Sequence, residues 1–422
     1  MSDIQTSTQT RPNMFSRTFS SIVLYRDYRL LWMGSWTEHM GDWMETTALL
    51  WLLYQITESP FLGTLMVSLR HLPMVFFAPI GGIIADRVNR RSLLMCALIG
   101  SAILSTLLAV LVHTGLIRWW HIMVSAGLSG VITSFNHPAR HTLVPNVVAT
   151  EHYLNAITLD SGSVMASRII GAPLAGFIIH LWGTTPVLGL KAVGALLAIS
   201  WLSLVHAPTT PSEAKKKTPL RNFVEGMHYV GENKGVLVQV LLYLIPYFVT
   251  NTYTGLLPYF ARDILHVGPR LYGFMNAAPG AGACTATLVL AYLVNFRRKG
   301  LVLLWGGIIQ GFTLILFALS PFYLLSLSLL IIIGSCNTTF MTLNNTIIQS
   351  IISDRVRGRV MSLREVCMGV GPSGSLIFGA IAAALGGPIA VSIAGATSII
   401  VLLSILAFVP RVKKGAEERD AL

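Results

Sequence analysis

Apolar stretches of about 20 residues, long enough to cross a bilayer, recur along the whole chain. They fall at 28–56, 61–84, 92–113, 119–140, 152–181, 185–206, 236–260, 270–294, 300–320, 322–347, 360–385 and 388–409. Each predicts a helix, because lipid offers the backbone no hydrogen-bond partner and a helix supplies its own. Twelve spans result. Turns such as "GTTP" at 183–186 leave little chain between them. The only long polar break is 207–235. It opens with "APTTPSEAKKKTPL", a Pro/Thr/Lys linker. In the following "LRNFVEGMHYVGE", Phe223, Met227 and Val230 recur at helical spacing, which predicts a short amphipathic helix on the membrane surface. The expected division is residues 1–206, a linker 207–235, and 236–422.

Composition agrees with the membrane class. The chain is 53% hydrophobic and 11% charged, with mean hydropathy +0.66, against about 25% charged residues in a soluble protein. A net charge of +12 raises the question of nucleic acid. The basic residues sit in short clusters between apolar runs, not in a stripe with stacking aromatics, so that partner is excluded. Assigned to sides by alternating spans, 24 Lys and Arg fall with the termini and 3 on the opposite face. The positive-inside rule then places both termini in the cytoplasm, as for a plasma-membrane protein. Cys96, Cys284, Cys336 and Cys367 lack metal-ligand spacing and read as helix packing. The N-terminus has no apolar signal-peptide core, so the first span is expected to direct insertion. No Walker loop, GxSxG or HExxH is present, so no enzyme, cofactor or metal is expected. Any work done must draw on an ion gradient or on a solute's own gradient.

The halves resemble each other. "TLVPNVVATEHYLNAITL" (Thr142–Leu159) and "TIIQSIISDRVRGRVMSL" (Thr346–Leu363) have equal length and a constant offset of 204 residues. Each begins the loop after the fourth span of its half. Duplicated six-helix units are a known plan in which a small-molecule site lies between the halves.

The first span carries acids where none are expected. In "WTEHMGDWMETTALLWLL", Glu38, Asp42 and Glu45 stand at i, i+4 and i+7. At ~100° per residue they lie within ~60° on one face. Each such group costs ~2.5–3.5 kcal/mol on insertion scales unless it meets a partner or a watery cavity. Depth along the spans suggests pairing Asp42 with Arg168 and Glu45 with Arg70. Two readings stay open, static ion pairs that fix helix packing or a site that binds a proton. Asp42, near mid-membrane, is the first choice for the proton; Arg168 or a cationic substrate would compete with it. Lys191, near the outer edge, is expected to snorkel, as are Asp160 and its repeat equivalent Arg364. His39, His71 and His121 read as packed polar side chains.

After the second span comes "GGIIADRVNRRSLL", with Gly82-x-x-x-Asp86-Arg87-x-x-Arg90-Arg91. This resembles the 2–3 loop signature of the major facilitator superfamily. "YRLLWMGSWTEHMGDWMETTALLWLLYQITESP", "PARHTLVPNVVATEHYLNAITL", "SRIIGAPLAG" and "SDRVRGRVMSL" resemble its enterobactin-exporter and macrolide-efflux branch. The resemblance implies an all-α polytopic membrane protein, with twelve transmembrane helices in two pseudo-symmetric six-helix bundles. It implies a monomeric exporter of a drug-like compound or siderophore, exchanging substrate for protons among membrane lipids. Asp86 would contact the N-terminus of span 11, where the helix dipole is positive, and Arg87, Arg90 and Arg91 would pair with acids or lipid phosphates. Together with Gly82 they would latch the cytoplasmic side. Spans 1, 4, 7 and 10 would line the cavity. Candidate lining residues are Trp43, Phe135, Tyr247, Phe248, Asn251, Thr252, Tyr253, Thr254, Asn337, Asn344 and Asn345. Span 4, taken to end at residue 140, lacks the buried Arg that many proton antiporters carry there. Rival readings are an importer or lysolipid flippase on the same fold, and a non-transporting membrane sensor.

Overall fold

A computed structural model describes residues 18–206, 219–293 and 299–408. Among the described residues there is no strand. Every predicted span is a helix: α1 Arg26–Thr57, α2 Pro60–Arg87, α3 Arg90–His113, α4 Trp119–Val147, α5 Tyr153–Trp182 and α6 Thr185–Ser203. In the second half, α7 runs Lys234–Thr250 and Thr252–Tyr259 and ends in a π turn, Phe260–Ile264. Then follow α8 Pro269–Tyr292, α9 Lys299–Leu319 and α10 Tyr323–Ile351. α11 is Asp354–Val370 and Ser375–Leu385, joined by a 3-10 turn at Gly371–Gly374, and α12 is Gly387–Phe408. Ten of the twelve are long and apolar enough to cross a membrane. The other two, α1 and α4, span 32 and 29 residues and carry the polar groups of the centre.

Packing repeats with a shift of six helices. α2 packs on α4 as α8 packs on α10, α3 on α6 as α9 on α12, and α1 on α6 as α7 on α12. The contacts between halves obey the same shift, since α5 meets α8 and α11 meets α2. Backbones come close there because the residues are small. A Cβ built on Gly63 would lie 2.2 Å from the Gly255 carbonyl oxygen, and one on Gly176 would lie 2.4 Å from the Pro269 oxygen.

These approaches lie at the end far from the chain termini. A buried cluster there joins both halves: Met44, Ala48 and Trp51 of α1 with Tyr253 and Phe260 of α7 and Tyr272 of α8. Across the far rim, Tyr54 donates a hydrogen bond to Asp263, and Arg262 pairs with Glu58 at 2.7 Å. Toward the terminal end α10 instead presents exposed Thr342, Thr346 and Gln349. A polar exposed stripe on a membrane helix faces water rather than lipid. Among the described residues, the buried cluster and the rim contacts close the bundle at the far end.

Two expectations change. α4 continues to Val147, so Arg140 lies inside a helix and not in a loop. The linker helix, Pro219–Glu232, does not simply float on the membrane. Its Val230 is buried against Val236, Val240, Val356 and Val360, while Met227 is exposed. Phe223 and Arg364 have side chains outside the described residues.

Candidate functional site

The three acids of α1 meet cations on three neighbouring helices, with Arg70 shared by two of them. Glu38 is buried and pairs with Arg140 of α4, and accepts a 2.6 Å hydrogen bond from Asn136 Nδ2. Arg140 also donates to His39 Nε2 at 2.9 Å. Asp42 accepts from Lys191 Nζ of α6 at 2.6 Å and lies 3.6 Å from Arg70 of α2. Glu45 accepts from Ser105 Oγ at 2.9 Å and lies 3.9 Å from Arg70. Lys191 is only 1% exposed, whereas the Asp42 side chain is 35% exposed. Gly41 makes this possible, because a Cβ there would sit 2.5 Å from Lys191 Cδ.

The expected pairing is thus corrected. Asp42 meets Lys191 and Arg70, not Arg168. The Arg168 guanidinium lies 4.5 Å above the Trp43 ring, and its Nε donates to the Asn276 carbonyl at 3.1 Å. Asn276 in turn donates to Thr47 Oγ1 at 2.8 Å, tying α8 to α1. The Glu45–Arg70 contact is present. Lys191 does not snorkel, and α4 does carry a buried arginine, Arg140.

A cavity of about 240 Å³ opens beside Asp42, lined by His39, Trp43, Thr46, Met66, Val67, Arg70, His71, Met74, Thr133, His137 and Thr254. Trp43 and Thr254 were expected there. The histidines and the methionines of α2 were not, since a lone His or Met in an apolar run carries no signal of which way it faces. Phe135, Tyr247, Phe248, Asn251, Thr252, Tyr253, Asn337, Asn344 and Asn345 are not among its lining residues. Phe135 packs near Phe77, with ring centroids 6.3 Å apart, and Tyr247 stacks on Tyr243. Asn251 donates to the Tyr247 carbonyl at 3.0 Å, at the break in α7. Tyr253 lies in the far-end core, and Asn344 is fully buried, donating to the Gln239 carbonyl at 3.0 Å. Asn337 is half-buried on α10.

Of the expected latch, the side chains of Gly82, Asp86 and Arg87 lie outside the described residues. Arg90 and Arg91 reach backbone carbonyls among the described residues. Arg90 donates to the Thr142 carbonyl at 2.9 Å, and Arg91 to the Leu202 and Ser203 carbonyls at 3.1 and 2.5 Å. The last carbonyls of α6 carry the negative end of its dipole, which a guanidinium complements.

Two six-helix bundles that repeat the same packing, with a charged cavity beside α1, have the architecture of a membrane transporter of the major facilitator type, and comparison with known proteins agrees. A family model described as transmembrane secretion effector matches residues 20–421, and the chain belongs to that family. Macrolide efflux protein A of Streptococcus pyogenes is 20% identical over 85% of this chain and 90% of the relative. The staphyloferrin A transporter of Staphylococcus aureus is 21% identical over 90% and 96%. A POT family transporter solved with 5-aminolevulinic acid superposes with TM-score 0.73 at 13% identity, covering 92% of this chain and 97% of that one, which shows the fold.

Proposed function

We propose that the chain is a secondary active exporter of amphiphilic small molecules, working by alternating access and exchanging substrate for protons. It acts as a monomer in the plasma membrane, with both termini cytoplasmic as the 24-to-3 charge asymmetry favours. The halves 1–206 and 236–422 rock about the α5–α8 and α2–α11 contacts, joined by the linker 207–235. The efflux and siderophore names of the relatives support export. The observation that carries the coupling is Asp42, an acid open to the central cavity while its nearest cation, Lys191, is sealed behind it.

Burial favours the protonated form of a carboxylate, and a nearby cation favours the ionised form. Rocking changes both the hydration of Asp42 and its distance from Arg70. The same group then takes a proton facing one side and releases it facing the other. In proteoliposomes with an imposed pH gradient, Asp42→Asn is expected to abolish uphill transport per inserted protein. Glu45→Gln and Glu38→Gln are expected to reduce it less, since both acids are buried away from the cavity. Full uphill transport with unchanged pH dependence in all three variants would overturn the role of the acid stripe.

A further inference from the structure

Which charge the cavity accepts follows from its hydrogen-bonding inventory. Among the described lining residues Asp42 is the only acid, and it is already bound to Lys191 at 2.6 Å. The Lys191 ammonium is 1% exposed and packed on Gly41, and separating the pair would leave it unpaired in the interior, which is strongly unfavourable. A cationic ligand would therefore meet an Asp42 whose charge is already answered by Lys191 and, at 3.6 Å, by Arg70. Glu38 and Glu45 do not line the cavity.

The donors are in the opposite condition. Arg70 carries five N–H donors, yet makes no hydrogen bond to any described residue. Its acids stand at 3.6 and 3.9 Å, beyond the ~2.7–2.9 Å of a charge-assisted bond. Its nitrogens are not among the buried atoms that lack a partner, so they reach the open space of the cavity. Next to it, Arg140 donates to His39 Nε2. An arginine cannot accept, so the neutral imidazole carries its proton on Nδ1. That N–H has no partner among the described residues and belongs to a residue of the cavity wall. Trp43, Met66, Val67 and Met74 supply apolar surface beside these donors.

Charge balance points the same way. Glu38, Asp42 and Glu45 are matched by Arg140, Lys191 and Arg70. Arg168, on the face of Trp43, is a further cation whose described partners are a ring and a carbonyl. Counted with Arg168, which touches the lining residue Trp43 without lining the cavity itself, the described cations around α1 exceed the acids by one, a balance that a monoanion restores.

We propose that this cavity binds its substrate through an oxyanion, a carboxylate or its equivalent, held in the fork of Arg70 beside the His39 Nδ1–H, with the apolar body of the molecule against Trp43 and the methionines. This deepens the reading of the cavity as the substrate site and rests on it. It narrows the amphiphile to an acid. The substrate anion takes the place at Arg70 that Asp42 and Glu45 occupy only at ionic distance.

The test uses the purified full chain in lipid nanodiscs, without any gradient, so that a failure of proton coupling leaves it untouched. Three matched probes, 1-naphthoate, 1-naphthamide and 1-naphthylmethylammonium, are titrated against tryptophan fluorescence, with Trp43→Phe locating the signal. The carboxylate is expected to bind at least about tenfold tighter than the amide or the amine. Arg70→Gln is expected to erase that preference, and Arg70→Lys, which keeps the charge but loses the fork, to reduce it by about three- to tenfold. Equal or tighter binding of the amine overturns the proposal, as does a carboxylate preference that survives Arg70→Gln. So does an absence of saturable naphthoate binding to the wild-type protein up to about 10 mM, some two decades weaker than a modest fragment.

Discussion

Asp42 and Lys191 are tied as a unit, and their separation has a measurable cost. Asp42→Asn removes the negative charge that faces the Lys191 ammonium, leaving it a neutral amide oxygen and the Glu38 carbonyl at 3.5 Å as acceptors. Lys191→Met leaves Asp42 with Arg70 at 3.6 Å. Removing one partner of a buried pair costs about 3–5 kcal/mol, less for Lys191→Met because Asp42 is partly open to the cavity. Removing both charges restores neutrality. The double variant is therefore expected to be more stable than Asp42→Asn alone, with a coupling of about 1–3 kcal/mol in a thermal-unfolding cycle on detergent-solubilised protein. Strictly additive losses would show that the contact carries no coupling. The acids were legible from their spacing on α1, but their partners were not. Lys191 stands six residues into α6, which reads as the membrane edge. In the bundle α1 runs sixteen residues past Gly41 to Thr57, and a Cβ built on Gly41 would lie 3.4 Å from Lys191 Cα. Distance from a helix's own end is not depth when neighbouring helices start at different levels. Arg140 was lost for a related reason, since it stands at the end of the apolar run 119–140 and reads as the first loop residue until Glu38 is seen to receive it.

At the level of the helices, closure of the far end rests on backbone contact more than on the charged rim. The Glu58 and Arg262 side chains are 68% and 40% exposed, and an exposed pair contributes about 0–1 kcal/mol. Gly63 against Gly255 is different, because a Cβ at Gly63 would fall 2.2 Å from a backbone oxygen that cannot move alone. Gly63→Val is expected to hold the far end apart, lengthening spin-label distances between Gln55 and His266. Glu58→Ala is expected to leave them near the wild-type values. Wild-type distances in Gly63→Val would mean that the halves close without this contact. The helices themselves were legible because lipid forces long apolar runs. The π turn at Phe260–Ile264, which brings both Arg262 and Asp263 to the rim facing α1, was not. Nor was the 3-10 turn within α11, because such adjustments come from packing and leave no periodicity of their own.

For the whole molecule, the constant 204-residue offset anticipated the repeat, and the six-helix shift of the packing matches it. The sign of the cavity's charge could not be read this way, because it depends on which donors remain unsatisfied once all helices are assembled. That sign has a consequence for energetics. If an acid leaves through Arg70 while a proton enters through Asp42, both movements carry charge in the same sense. A monoanion leaving and one proton entering amount to two positive charges moved inward per cycle. Each charge is worth ~2.3 kcal/mol per 100 mV, so a membrane potential negative inside adds about 4.6 kcal/mol of driving force per 100 mV. Export of a cation in exchange for one proton would move no net charge, and a neutral substrate would move one. The expected result in proteoliposomes is uphill transport of the acidic probe driven by a potassium-diffusion potential alone, with the pH equal on both sides. The steady-state accumulation should steepen with voltage as two charges rather than one. Transport that responds to the pH gradient but not to the potential would rule out an anionic substrate exchanged for protons, whichever residue holds either one.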